Sequence, residues 1–464
     1  MPKPIQQYSY QQIAALQIMF SFLNHLRTQT TPLVLHRKKP LVWDDEELHH
    51  SMFDRDPEGY ALAALAQGVT GWQQARILLE ILRRSWVGIP DDSRKILEQI
   101  AALLTALLEP EQTLTVFLAL RRLRANHNHT SRAIVRWVVN HPGLEDLAVC
   151  RRPAVADCLE HALGKATIRA IARQANHEGT GWASTPINRL LSNPDRVKAV
   201  LPFLFHASKT QPTAQTLYPV AHTLIRRIWR PTESLPEVVT PTNRGDIAAT
   251  LVHLYRGGAT PELVEAIETY VNQAAAGLPV FSGRLTVVLD ASASSRGYGD
   301  REFCCISQSV AFQRVLATLC AQTRTMTVGG QEDPPVPYGP TDLATAVLDA
   351  VADNPDLVVV LSDGYENSCQ GDLAAVVAAL PAAGCDTPVV FCHSKFSHSD
   401  DLQLRRPANN LTALEFWHER EFPSLIERLW CLARGNHGWE TLKDHWRTEL
   451  FRWYKELMVW TRLD

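Results

Sequence analysis

Leu285 to Ser295 reads LTVVLDASASS. An apolar, β-branched run ends in an aspartate, and small hydroxyl residues follow at once. A run of that length suits a strand buried on both faces. Leu357 to Asn367, LVVVLSDGYEN, repeats the plan and brings Asp363 to the end of a second run. Between them, Gly339-Pro340-Thr341-Asp342 opens a helical pattern. Carboxylates and hydroxyls at the tips of neighbouring strands suit a hard cation, which prefers oxygen ligands. Capped loops at strand ends, where Asp and Ser are common, are the plainer reading of each motif taken alone.

Outward from this stretch, the chain after residue 284 alternates strand and helix. The expected strands are Leu285 to Leu289, Arg324 to Val328, Leu357 to Leu361 and Thr387 to Cys392. Helical patterns lie between them at Glu302 to Ala321, Asp342 to Ala352 and Asp372 to Ala382. This order implies an α/β doubly wound parallel sheet with right-handed crossovers, and ligands at the carboxyl ends of its strands.

Before residue 284 the pattern is helical throughout. Residues 8–28 form a first helix, and residues 29–56 read as irregular and end in an acidic-aromatic patch, Trp43 to Glu47. Short units follow at Gly71 to Trp86, Asp91 to Leu108, Glu109 to Ala125, Thr130 to Asn140 and Pro153 to Leu163. Others run from Asp195 to His206, Thr213 to Trp229, Asn243 to Tyr255 and Pro261 to Ala275. Thr260-Pro261 places a cap residue before Pro at the first helical position. Many short helices suggest an all-α helical-repeat domain of the HEAT type. No repeat period is evident, so an irregular helical domain fits as well. Residues 231–242 and 276–283 read as connections. The expected division is 1–280 helical, 281–416 α/β, and 417–464 a tryptophan-rich helical tail. In that tail Trp439, Trp446, Trp453 and Trp460 sit seven apart, which places them near one helical face, to be buried on the body or on a partner helix.

Asp290, Ser292 and Ser294 form a DxSxS motif directly after a strand; Thr341 and then Asp363 follow in order. In this, residues 284–395 resemble a von Willebrand factor A domain with its metal-ion-dependent adhesion site. The resemblance implies a magnesium or other divalent ion held by Asp290, Ser292, Ser294, Thr341 and Asp363, with its open position filled by an Asp or Glu of a protein partner. Ser295 stands where the family often has an apolar residue, and the loop Arg296 to Asp300 is long and polar. The whole chain, helices followed by an A domain, resembles the Ro autoantigen (TROVE) family. That resemblance implies binding of small non-coding RNA, structured or misfolded.

Charge bears on the RNA expectation. The net charge is −3, yet residues 121–230 carry 17 Lys and Arg against 6 Asp and Glu. Arg121, Arg122 and Arg124 close one helix. Arg132 and Arg136, Arg169 and Arg173, and Arg226 and Arg230 are spaced four apart, so each pair shares a helix face. Such arginines can hold phosphates, and Trp137, Trp182 and Trp229 nearby can stack on bases or fill the core. The competing reading is a protein-interaction scaffold, like A-domain proteins that work beside MoxR-type ATPases or in defence and stress modules. There the basic residues disperse or pair with acids of residues 284–464.

Other classes find no support. No phosphate-binding loop, nucleophile elbow or HExxH motif occurs, so a non-enzymatic protein is expected. His127 and His129 suit a polar helix start or base stacking; His393 and His398 are expected in a loop near the metal face. Nine cysteines without metal-type spacing and without an export signal imply reduced thiols and a cytoplasmic protein, and with no run of about 18 apolar residues no membrane span is expected.

Overall fold

The computed structural model describes residues 10–35, 41, 43–175, 194–205, 246–366, 368–395, 407–435 and 437–460. The chain divides into two compact units, one of Met1–Ser21 with Glu233–His445 and the other of Phe22–Thr232 with Trp446–Asp464.

The first unit is built on β1 (Phe281–Ala291), the strand that carries the opening motif. It pairs with β2 (Cys320–Gly329) on one side and β3 (Leu357–Ser362) on the other. β4 (Val389–Ser394) and β5 (Thr412–Phe416) complete a five-stranded, all-parallel sheet of order β2-β1-β3-β4-β5. β3 is buried along its whole length, as its unbroken apolar run requires. Val288, Val358, Val360 and Phe391 pack one face against Leu343, Val347 and Leu373. The helix Cys304–Leu319 packs on β1, β2, β3 and β4. The four expected strands are present. β5 is an addition: five residues at an edge, with alternating burial, make too short a pattern to read.

The unit reaches further along the chain than the expected boundaries at 280 and 416. Ile247–Gly257 and Pro261–Ala275 both pack on Cys304–Leu319. Thr260 caps the second of these, accepting from Leu263 N at 3.4 Å. Beyond β5, the helix Phe422–Leu432 is built into the core. Its Trp430 stacks on Phe281 with centroids 4.6 Å apart and donates from Nε1 to Pro279 O at 2.9 Å. An apolar stripe tells that a helix is buried, not against which core.

One junction carries a pH dependence. Asp246 and Glu419 both accept from the first amides of Ile247–Gly257. Burial, together with the Asp246 charge, raises the Glu419 carboxyl to about 7. A carboxyl raised in the fold contributes stability that is full below its ordinary value and is lost as pH rises through 7. Glu419→Gln keeps the acceptor and removes the charge. Urea unfolding will show it more stable than the parent at pH 8, by about 1–2 kcal/mol, and equal to it at pH 4.

The second unit is helical. Its elements include Glu46–Arg55, Pro57–Leu62, Gly71–Arg83, Asp91–Leu107, Pro110–Leu123, Asn128–Asn140, Arg152–Leu163 and Lys165–Gln174. Alternate helices stack: Gly71–Arg83 on Pro110–Leu123, Asp91–Leu107 on Asn128–Asn140, and Asn128–Asn140 on Arg152–Leu163. Arg152–Leu163 and Lys165–Gln174 meet at a turn on Gly164, whose φ of +84° suits glycine alone among ordinary residues. Trp137 is core, donating to Thr105 O at 2.8 Å. Thr213 to Trp229, the connection 231–242, Trp182, Trp229, Arg226, Arg230 and His398 lie outside the described residues.

The last helix, His437–Trp460, runs unbroken through the tryptophan repeat. Trp439 and Trp446 are buried as expected. Trp453 is half-buried, with Arg452 lying over its ring, because a seven-residue step drifts off one face of a straight helix.

Candidate metal centre

The strand order decides where the site forms. β1 connects onward to β2 on one side, and β3 lies on the other, so the loops leaving their carboxyl ends diverge and open a crevice. Asp290 ends β1 and Asp363 follows β3, at that crevice.

The donor atoms converge. Thr341 Oγ1 donates to Ser292 Oγ at 2.7 Å, and Ser292 Oγ lies 3.1 Å from Ser294 Oγ. Ser294 Oγ lies 3.5 Å from Asp363 Oδ1. Asp290 stands behind them, its Oδ1 accepting from Ser292 N at 2.9 Å and its Oδ2 from Ser362 Oγ at 2.6 Å. Asp290, Ser292, Thr341 and Asp363 are buried, and Ser294 is half-exposed at the mouth. All five expected residues therefore meet in one place. Ser362 is the participant that sequence reasoning passed over; its only signal was its place beside Asp363 at a strand end.

The donor set fits a hard cation: three neutral hydroxyls, with two carboxylates close behind. Burial raises the Asp290 carboxyl above its ordinary value, although hydrogen bonds from Ser362 and Ser292 pull the other way. Those donors are a hydroxyl and an amide, both uncharged. A divalent ion would supply the positive charge that a buried carboxylate needs.

The loops are stitched together by backbone. Tyr338 N donates to Ala291 O at 3.0 Å, Gly330 N to Tyr338 O at 2.7 Å and Ala293 N to Gly339 O at 3.0 Å. Ser295 is buried, with its hydroxyl donating to Ser292 O at 2.8 Å, so its polar group is satisfied in the interior. Gly329, at φ +65°, sits where a Cβ would run into Tyr338 O and come within 3.0 Å of Ser292 Cα. Gly329→Ala should cost about 2–3 kcal/mol and weaken divalent-ion binding about tenfold by pushing the Thr341 loop away. Chemical denaturation and ion titration of the same sample check both.

His393 is not a loop residue. It lies buried on β4 with its ring edge-on to Phe391. The strand runs two residues further than its pattern indicated.

Among the described residues, the candidate arginines of the helical unit are exposed, and several are paired with acids of that same unit. Arg121 bonds Asp157, Arg132 and Arg136 share Glu98 Oε1 at 3.3 and 3.1 Å, and Arg169 bonds Glu160. Arg124 closes its helix with φ +55°, and Arg173 is exposed near the end of Lys165–Gln174. Beside Arg132 is a cleft of about 540 Å³, also lined by Trp86, Arg94, Lys95, Glu98, His127 and His129. His129 lies flat on Trp86 at 3.8 Å and on His127 at 5.2 Å. Burial, then the His127 charge, lowers the His129 imidazole to about 4, so it is neutral at pH 7.

His25, Asp45 and His49 form another group of ligand-type atoms. Arg76 Nε lies 2.7 Å from Asp45 Oδ1, and His49 is committed to Tyr60 OH at 2.7 Å and Gln73 Oε1 at 2.9 Å. A guanidinium at the carboxylate makes this an internal polar network rather than a cation site.

No protein-family model matches the chain. No curated protein matches it either. Among solved structures, the chain is similar to the Ro (RSR) protein of Deinococcus radiodurans, at 12% identity and a TM-score of 0.34, with 93% of this chain and 100% of that chain covered.

Proposed function

We propose that this protein is a non-enzymatic, metal-dependent binding protein. A divalent ion, magnesium by the chemistry of its donors, sits on Ser292, Ser294 and Thr341, with Asp290 and Asp363 orienting its waters. The ion then takes a carboxylate from a protein partner. The observation that carries this reading is the convergence of five separated residues at the β1/β3 crevice, hydroxyls forward and acids behind. We read the role of the crevice as capture rather than turnover. Ion titration by calorimetry tests it directly: one site on the parent chain, absent in Asp290→Asn.

The scaffold reading of the helical unit rests on its arginines. Arg121, Arg132, Arg136 and Arg169 are paired with acids beside them, which lowers their availability to phosphate. RNA binding remains a second reading because of one feature, the Trp86–His129–His127 column beside Arg94, Lys95 and Arg132. A flat aromatic stack with cations at hand is the equipment of a single-strand site. Exposed pairs are worth only about 0–1 kcal/mol each and yield readily to a polyanion. A gel shift with small structured RNA at low salt separates the two. The scaffold reading expects no shift; a salt-sensitive shift lost in Trp86→Ala would establish the RNA reading instead.

A further inference from the structure

We propose that Tyr298, Tyr338 and Tyr365 form an aromatic collar that makes the metal centre a docking surface for a protein segment whose acidic side chain is flanked by apolar residues. This rests on the metal reading above and adds the identity of what the ion grips.

Each tyrosine comes from a different loop of the centre. Tyr298 follows Ser294, Tyr338 precedes Thr341 and Tyr365 follows Asp363. They are 87%, 66% and 44% exposed. Among the described residues, Phe451 is the only other large aromatic in that exposed class. Cation binding by hydroxyls and carboxylates requires none of the three, and exposed rings at all three loops call for a cause. Tyrosine supplies large contact area at small entropic cost and is enriched where interfaces concentrate their affinity.

The backbone under each ring is held. Tyr338 exchanges hydrogen bonds with Ala291 and Gly330, Tyr365 N donates to Asp363 Oδ1 at 3.1 Å, and Tyr298 O accepts from Arg301 N at 3.3 Å. Tyr338 belongs to PPVPYGP, in which Pro334, Pro335 and Pro337 are buried while Val336 and Tyr338 face outward. Prolines anchored this way hold Val336 and Tyr338 in place before any partner arrives, which lowers the ordering cost of binding. A polyanion is the poorer fit, because rings rather than a cluster of cations mark the three loops, and Arg296 already has Glu302 at 2.7 Å. Nor does the collar repel a single carboxylate. Asp342 accepts from Thr345 N, and Glu366 from Gly371 N and Leu373 N, so both acids are turned to their own backbone. A small free carboxylate would reach the ion but could not cover three rings on three loops.

A displayed library of random twelve-residue peptides, selected on the full chain in magnesium, provides the probe. Enriched peptides should carry Asp or Glu beside aliphatic or aromatic residues, and Asp→Asn in the peptide should abolish binding. The triple variant Tyr298→Ser, Tyr338→Ser, Tyr365→Ser should lower peptide affinity at least about tenfold, with manganese binding by electron paramagnetic resonance unchanged. Tyr298→Ser alone, at the most exposed of the three, should lower it measurably and guards against a folding defect in the triple variant. Unchanged peptide affinity in the tyrosine variants, with binding still lost in Asp290→Asn, overturns the collar and leaves the metal reading standing. Binding that depends on the tyrosines but survives EDTA overturns the metal reading on which the proposal rests. Magnesium-dependent dimerisation lost in the triple variant overturns the partner class in favour of a second copy of this chain. A selection that enriches nothing overturns the proposal.

Discussion

Asp290→Asn will lose divalent-ion binding by about 100-fold while the sheet stays folded. The carboxylate accepts from Ser292 N and Ser362 Oγ. Asparagine keeps the shape and one acceptor, and the Ser362 hydroxyl can turn to accept from its amide. The structural cost is therefore small. Removing a charge from a fully buried position offsets part of it. What disappears is the negative charge that draws the ion and holds its waters. In the parent chain, magnesium at 100 times its dissociation constant should raise stability by about 2.7 kcal/mol. Thermal unfolding with and without magnesium should show that gain in the parent and only about 0.4 kcal/mol of it in Asp290→Asn. If Asp290, Ser292, Ser294, Thr341 and Asp363 only cap loops, magnesium shifts neither melting curve, and that result sinks the metal centre.

Asp45→Ala will destabilise the helical unit by about 3–5 kcal/mol. Asp45 is the hub of a buried network at the start of Glu46–Arg55. Arg76 Nε lies 2.7 Å from its Oδ1, and His25 Nε2 lies 2.7 Å from its Oδ2. Gln73 Nε2 donates to the same Oδ2 at 2.8 Å. Without Asp45, the Arg76 guanidinium keeps only the carbonyls of Thr31 and Trp72 among these partners while it remains buried. Burial raises the Asp45 carboxyl, but bonds with His49, Gln73 and His25 outweigh it, and the net value lies well below the ordinary carboxylate range. A carboxyl lowered in the fold contributes stability that is full above its ordinary value and is lost as pH falls through the folded one. Acid unfolding of the helical unit should thus carry this component below about pH 4, and Asp45→Asn should lack it. His49, whose imidazole burial lowers, stays neutral between Tyr60 and Gln73. EDTA and zinc should leave the melting of this unit unchanged. A loss below about 1 kcal/mol in Asp45→Ala would count against the network.

The five residues that meet at the crevice were legible for a physical reason. A cation site at strand tips needs particular atoms at the ends of apolar runs, and both features are local. Asp290 after LTVVL and Asp363 after LVVVLS carry the signal in their own neighbourhoods. The Asp45 network was illegible because its members, from residue 25 to residue 76, share no spacing rule. Trp43 to Glu47 read only as an acidic patch ahead of a helix. For the arginines, the four-residue spacing on a helix was plain, but the pairing of Arg121, Arg132, Arg136 and Arg169 with Glu98, Asp157 and Glu160 of neighbouring helices was not.

By itself, the sequence determined that helices precede a parallel sheet, and that Asp290, Ser292, Ser294, Thr341 and Asp363 stand at its carboxyl end. Period and residue type encode those features over a few positions. Only the tertiary structure decided which helices share the sheet's core. It alone bonded Ser362 to Asp290, turned Gly329 toward Tyr338 and placed an exposed tyrosine on each loop of the centre. Those outcomes depend on which surfaces meet, and an apolar stripe is equally satisfied by any core that covers it.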